Sequence, residues 1–158
     1  MDQEQIVRAC VAELGAEPGP LLEVLHAVQN RIGYVPQHAL ATIAEGLNLS
    51  RADVHGVVTF YKFFRRSPPG RHVVQICRAE SCLAMRGEEL ASHAIRSLSA
   101  GFEETTADGA VTLESVFCLG NCACSPAVMI DGVPHGRVTP QRFDELIAAL
   151  KNPSPGAA

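Results

Sequence analysis

Apolar positions in the first third of the chain recur three and four residues apart. From Gln3 to Leu14 they are Ile6, Val7, Cys10, Val11 and Leu14, the stripe of an amphipathic helix. Glu17-Pro18-Gly19-Pro20 breaks that stripe, and Pro20 suits the first turn of a second helix. This helix carries Leu21, Leu22, Leu25, Val28, Gln29 and Ile32, with Gly33 placed to stop it. A third, short helix is predicted from Pro36 with Leu40, Ile43 and Ala44 on one side. A fourth begins at Ser50, where a hydroxyl N-cap is followed three residues later by Asp53, a weaker relative of the capping box. It runs through Val54 toward Val57 and into Phe60, Tyr61, Phe63 and Phe64. That stretch reads as a hydrophobic seam between domains or as a patch facing a partner.

Arg65-Arg66-Ser67-Pro68-Pro69-Gly70-Arg71 has the composition of a linker, and the pattern changes after it. His72–Ile76 is a short apolar strand, and Cys82–Leu98 carries helical spacing. Val111–Phe117 alternates like a strand after the polar turn Ala107-Asp108-Gly109. Ala127–Ile130 and Val133–Val138 read as two strands joined by Asp131-Gly132, a tight-turn pair. Thr139-Pro140 opens a last helix with Phe143, Leu146, Ile147 and Leu150, and residues 152–158 read as a frayed tail. The expected order is helices first, then β-α-β-β-β-α, a mixed α+β or α/β chain. It divides into a helical bundle over 1–66 and a sheet domain over 67–158.

Composition narrows the function classes. Of the 158 residues, 47% are hydrophobic and 19% charged, as in an ordinary globular protein. The formal net charge of −4 argues against a nucleic-acid binder, which carries a basic stripe. No apolar run reaches the length of a membrane span, so direct membrane insertion is not expected. Six cysteines are the unusual count. The chain opens with no basic segment followed by an apolar one, so they are read as reduced thiols of a cytoplasmic protein. That turns them toward metal or redox chemistry.

Five of the six lie after the Arg65–Arg71 linker. Cys77 and Cys82 are spaced C-x4-C, Cys118 and Cys122 are spaced C-x3-C, and each pair follows a predicted strand. Loops after strands are where a rigid sheet holds ligands in place, and Gly120 is expected to let the backbone approach closely. Four convergent thiolates suit a [2Fe–2S] cluster or tetrahedral zinc, since both take soft sulfur donors. Both spacings are also acceptable for structural zinc. The lack of a C-x-x-C pair counts against disulfide exchange. Spacing leaves the cluster, zinc and thiol chemistry open.

Several longer motifs occur in order: Gly33-Tyr-Val-Pro36, the segment GVVTFYKFF from Gly56 to Phe64, and the Cys77/Cys82 pair. RGEEL (Arg86–Leu90), DGAVTLESVFCLGNC (Asp108–Cys122) and SPAVMIDG (Ser125–Gly132) follow. Together they resemble the family of the 24-kDa subunit of respiratory complex I and its relatives in NAD-linked hydrogenases and formate dehydrogenases. The resemblance covers about residues 5 to 151. It implies an N-terminal helical bundle followed by a thioredoxin-like ferredoxin domain. It also implies one [2Fe–2S] cluster held by Cys77, Cys82, Cys118 and Cys122.

Within that family CRAESCLAMRG (Cys77–Gly87) and CLGNCACSP are similar to the gamma subunit of soluble, molybdenum-containing NAD-dependent formate dehydrogenases. The implied role is electron transfer without a catalytic site of its own. A single-electron centre needs a flavin partner to split a hydride's electron pair. The expected partners are therefore an FMN- and NAD-binding subunit and a larger catalytic subunit. The chain itself carries neither the glycine-rich dinucleotide fingerprint nor a P-loop. Cys124 is an extra thiol, read as packed behind the loop or as a substitute ligand, and Cys10 as a core thiol. Arg78 is a candidate for offsetting the cluster's negative charge, and Pro126 a candidate cis-proline.

Overall fold

In a computed structural model, which describes residues 2–151, four helices come first: α1 (Gln3–Leu14), α2 (Leu21–Ile32), α3 (Ala39–Gly46) and α4 (Arg51–Phe60). Local chemistry explains their ends. Gly33 stops α2 at φ +93°, a left-handed conformation that costs glycine nothing, and its N–H donates to the Gln29 carbonyl. Ser50 accepts from the Asp53 N–H at 3.1 Å while Asp53 accepts from the Ser50 N–H at 3.1 Å, a reciprocal cap on α4. The third helix starts at Ala39, later than predicted, because 37–38 form a turn after Pro36. Val7, Cys10, Leu25, Val28, Leu40, Ile43, Val54 and Phe64 lie in this unit's core.

The aromatic stretch divides. Phe64 is buried, whereas Phe60, Tyr61 and Phe63 are exposed at 77%, 43% and 53%. Gln29 anchors the segment from a buried position in α2. Its side-chain amide donates to the Phe63 carbonyl at 2.9 Å and accepts from the Arg65 N–H at 2.7 Å.

The chain separates into two compact units, Met1–Pro68 and Pro69–Ala158. The second contains β1 (His72–Cys77), α5 (Glu80–Ala84), α6 (Gly87–Leu98), β2 (Glu104–Thr105) and β3 (Val111–Val116). A 3-10 turn (Cys122–Cys124), β4 (Val128–Ile130), β5 (Val133–His135) and α7 (Pro140–Lys151) complete it. The sheet order is β2-β3-β1-β4-β5, with β1 and β3 parallel and the other pairs antiparallel. Alternate residues Val74, Ile76, Val111, Leu113, Val128 and Ile130 share one core with Leu90 and Ala94 of α6 and Phe143 and Ile147 of α7. This is the period-two pattern of a sheet face covered by helices.

Three further features differ from the sequence reading. The helix expected over Cys82–Leu98 is broken at Arg86, whose φ of +67° ends α5 before α6 begins. A two-residue strand, β2, was not predicted; it pairs Glu104 with Leu113 and Thr105 with Thr112. The last strand ends at His135 instead of Val138, because Arg137 turns to φ +53° and donates its N–H to the Cys124 carbonyl at 2.6 Å. The Asp131-Gly132 turn is a two-residue hairpin loop with both φ values positive, as its sequence predicts. The frayed tail predicted for residues 152–158 lies outside the described residues. Among the described residues no helix is long and apolar enough to cross a membrane.

Candidate metal centre

The sheet register builds the site. Cys77, the last residue of β1, pairs with Val116, the last residue of the parallel neighbour β3. Both strands therefore release their chains at the same edge. The Arg78 N–H reaches the Val116 carbonyl at 2.7 Å and the Cys77 N–H the Ala127 carbonyl at 3.1 Å, fixing the loop that leaves β1 to both neighbours. Cys82 follows in α5, and Cys118 lies two residues beyond β3. Cys122 opens the 3-10 turn. The Ser125–Pro126 peptide bond is cis.

The two thiol pairs occupy different environments. Cys77 and Cys82 are 3% and 1% exposed, enclosed with Ala127 by Ala79, Val116 and Leu119. Cys118 and Cys122 are exposed, with their Sγ atoms 4.0 Å apart. Burial pushes the Cys77 thiol up, and its neighbour Cys82 adds to that, while the N–H groups of Ala79 and Leu119 pull it down. The Cys122 thiol is also raised, chiefly by Cys118, with a further contribution from the charge of Cys82. Crowded thiols that resist ionisation together are ready ligands for a cationic centre, whose charge offsets the repulsion between thiolates.

Donors surround the sulfurs. The Gly120 N–H points at Cys118 Sγ from 3.3 Å. Gly120 itself sits at φ +74° with open space where a Cβ would be. The turn needs its conformational freedom. Close approach between protein segments falls at Gly87, where an added Cβ would lie 2.6 Å from the Cys82 carbonyl oxygen. Two residues escaped the sequence reading. Ser125 is buried with its Oγ 3.5 Å from Cys82 Sγ, and Ser81 lies 2.9 Å from the Ser125 hydroxyl. Their only signal was that each hydroxyl falls inside a cysteine loop.

The Arg78 guanidinium pairs with Glu88 at 2.8 Å and lies 5.3 Å over the Phe102 ring, and its Nε is buried without a partner. Cys124 is half-buried beside Gly136, where a Cβ would stand 2.5 Å from the Cys124 Cβ. Cys10 is fully buried in the helical core, and burial pushes its thiol up. Among the described residues no group of three or more His, Cys, Asp or Glu side chains is arranged to hold a single metal ion.

A mixed sheet whose adjacent parallel strands end in two cysteine-bearing loops, covered by helices, is a fold of the thioredoxin-like ferredoxin class. The chain belongs to the thioredoxin-like [2Fe-2S] ferredoxin family, whose model matches residues 7–151 and whose members carry one [2Fe–2S] cluster. It is 41% identical over 128 residues to the NADH-quinone oxidoreductase E subunit of Pseudomonas aeruginosa, covering 81% of this chain and 77% of that protein. It is 31% identical over 139 residues to NADP-reducing hydrogenase subunit HndA of Solidesulfovibrio fructosivorans, covering 87% of this chain and 81% of that one. The crystal structure of a NAD+-reducing [NiFe]-hydrogenase in the H2-reduced state superposes with a TM-score of 0.69 at 26% identity. That match covers 85% of this chain but 22% of the hydrogenase chain. The chain likewise spans 54% of the corresponding NADH-quinone oxidoreductase protein of Mycobacterium tuberculosis.

Proposed function

We propose that this chain is the electron-transfer subunit of a NAD-linked oxidoreductase, with Cys77, Cys82, Cys118 and Cys122 as the ligands of one [2Fe–2S] cluster. The observation that carries the reading is that the parallel neighbours β1 and β3 end side by side in two cysteine-bearing loops, joined where Ser81 Oγ donates to the Cys122 carbonyl at 3.2 Å. The family match, whose members carry one [2Fe–2S] cluster, favours two irons over the single tetrahedron of zinc.

When bound, the cluster supplies storage for one electron, whereas a nicotinamide exchanges two as hydride. An FMN- and NAD-binding partner subunit therefore splits the pair, and a larger catalytic subunit completes the complex. The residues of this chain do the rest. Buried Cys77 and Cys82 exclude water from one side of the centre, and exposed Cys118 and Cys122 leave the other side open to a partner. The N–H groups of Ala79, Leu119 and Gly120 point at sulfur and favour added negative charge. Residues 1–66, with a core of their own and exposed Phe60, Tyr61 and Phe63, form the docking arm for the flavin subunit.

The parent enzyme in this reading is a cytoplasmic NAD-dependent formate dehydrogenase, which the segments Cys77–Gly87 and CLGNCACSP support. The identity to the NADH-quinone oxidoreductase relatives favours a second reading, the equivalent subunit of that complex or of a hydrogenase.

Two measurements test this. The purified chain should be brown, with iron and acid-labile sulfide near two per chain and a rhombic EPR signal after dithionite. Serine at each of the four proposed ligands should lose or perturb that signal, while Cys10→Ser should not. A colourless protein with stoichiometric zinc would sink the cluster, and bleaching by Cys124→Ser with a normal Cys122→Ser would sink the ligand set. Affinity purification from the native host should bring down a flavin subunit and a molybdenum-containing subunit with formate activity. Recovery with hydrogenase or quinone-reductase subunits would replace the formate assignment.

A further inference from the structure

Ser125 is 7% exposed and sits where the two cysteine loops meet. Its Oγ is 3.5 Å from Cys82 Sγ, 2.9 Å from the Cys122 carbonyl oxygen and 2.9 Å from Ser81 Oγ. The Ser81 hydroxyl in turn lies 3.2 Å from the same Cys122 carbonyl. A serine hydroxyl has one proton to donate and two lone pairs to accept with. With Cys82 protonated, the thiol donates to Ser125 Oγ, and Ser125 gives its own proton to the Cys122 carbonyl.

A thiolate can only accept. As a ligand the Cys82 sulfur carries no proton, and Ser125 can turn its own to the sulfur only by leaving the Cys122 carbonyl. That turn costs the carbonyl one of its donors. Ser81 limits that cost, because its hydroxyl already reaches the same carbonyl and remains there when Ser125 turns. After the turn both hydroxyl protons, the sulfur and the carbonyl have partners.

We propose that Ser81 and Ser125 form a hydroxyl relay that places one O–H donor on the Cys82 sulfur and so raises the reduction potential of the centre. The inference deepens the ligand reading above and rests on Cys82 being a ligand. Hydrogen bonds to ligand sulfur stabilise the more negative, reduced state, so each donor moves the potential upward. Ser125 is a positioning residue for the donor, and Ser81 acts only through Ser125. The relay joins an α5 residue from the first loop to the residue before Pro126 in the second, so it also ties the two thiol pairs together.

The experiment is EPR-monitored redox titration of the full-length chain and its Ser125→Ala, Ser81→Ala and double variants. Ser125→Ala should lower the reduction equilibrium constant by up to about tenfold, which is about 59 mV for one electron. Ser81→Ala should shift it less and in the same direction, because Ser125 is then drawn back toward the Cys122 carbonyl. The double variant should match Ser125→Ala alone, since Ser81 has no route to sulfur without Ser125. An unchanged potential in Ser125→Ala, or shifts that simply add in the double variant, would overturn the relay. Should Ser125→Ala assemble no centre, Ser81→Ala decides: a lowered potential supports the relay and an unchanged one overturns it. A wild-type chain without an iron–sulfur signal, or one whose signal survives Cys82→Ser unaltered, would instead strike the ligand reading itself.

Discussion

Gly87 is the position where backbone geometry and the proposed centre meet, and replacing it with alanine isolates one contact. The residue opens α6, and its backbone lies outside the left-handed region, so no conformational reason demands glycine. On propensity alone alanine would stabilise a helical site by about 0.5–1 kcal/mol. The surroundings reverse the sign. The new methyl would stand 2.6 Å from the carbonyl oxygen and 2.8 Å from the carbonyl carbon of Cys82. Favourable carbon–carbon separations are about 3.5–4.0 Å, so the two segments must part by about 0.7 Å. Both partners are backbone, and the neighbour that must yield is a fully buried cysteine. Overpacking of this kind costs about 1–3 kcal/mol, leaving a net loss of about 1–2 kcal/mol after the propensity gain. For a chain of this size that is a fall of about 2–8 °C in Tm. The displacement falls on the turn carrying Cys82, so iron and sulfide per chain should drop as well. Thermal bleaching of the iron–sulfur absorbance together with metal analysis gives both readouts. A Gly87→Ala chain that melts at or above the wild-type temperature with full metal content would refute the reasoning.

The opposite result is expected at Gly56, which lies inside α4 with nothing within 4 Å of the place an added methyl would take. Gly56→Ala should stabilise the helical unit by about 0.5–1 kcal/mol in chemical denaturation. Gln29→Met keeps much of the side-chain volume but strips the Phe63 carbonyl and the Arg65 N–H of their partner. It should cost about 2 kcal/mol and loosen the aromatic segment, read as faster amide exchange at 63–65. Ser50→Ala removes the α4 cap and should cost about 1 kcal/mol at neutral pH. The Ser50 hydroxyl and N–H hold the Asp53 carboxyl below its ordinary value. Its contribution is therefore present above the unfolded value of about 3.9 and lost as the pH falls through the lower folded value. The stability gap between wild type and Ser50→Ala should narrow in that acid range, and a gap that widened there would contradict the cap. Finally, Phe60→Ser with Phe63→Ser should leave metal content unchanged while abolishing co-purification with the flavin subunit, and intact co-purification would refute the docking arm.

The features that were legible in the sequence are those whose cause is local. Gly33 ends α2, Ser50 and Asp53 cap α4, and Asp131-Gly132 closes a hairpin, because each needs only residues three or four positions apart. The order of helices, then a mixed sheet, follows from the switch in apolar period after the linker. What escaped depends on partners distant in the chain. Nothing in Met85-Arg86-Gly87 announces a break in an otherwise helical pattern; it arises because α6 packs its first residue against the Cys82 carbonyl. Strand β2 is two residues long and is defined by its pairing with β3, supported by the Thr105 and Thr112 hydroxyls at 2.8 Å. The aromatic run shows the same limit, since composition does not tell which ring turns inward. Phe64 does so, while Phe60, Tyr61 and Phe63 remain exposed.

The same division runs through the candidate site. Cysteine spacing picks out four candidate thiols, yet it is blind to what the sulfurs touch. The inner pair is enclosed by Ala79, Val116, Leu119 and Ala127, residues without chemistry of their own, and is approached by a hydroxyl 43 positions away in sequence. The acid–base balance sharpens this point. Six basic and seven acidic residues fall in 1–66, against seven and ten in 67–158. The half that is proposed to bind a negatively charged centre therefore carries most of the negative excess. Arg78, the cation nearest in sequence to the first ligand, already pairs with Glu88. In the proposed centre, stabilisation of added electron density at the sulfurs thus falls to neutral dipoles: the N–H groups of Ala79, Leu119 and Gly120 and, through the proposed relay, the hydroxyl of Ser125. Dipoles held by a folded loop act only while the loop keeps its shape. The backbone contact at Gly87 and the register that aligns the ends of β1 and β3 consequently bear on the redox properties of the centre as well as on its stability.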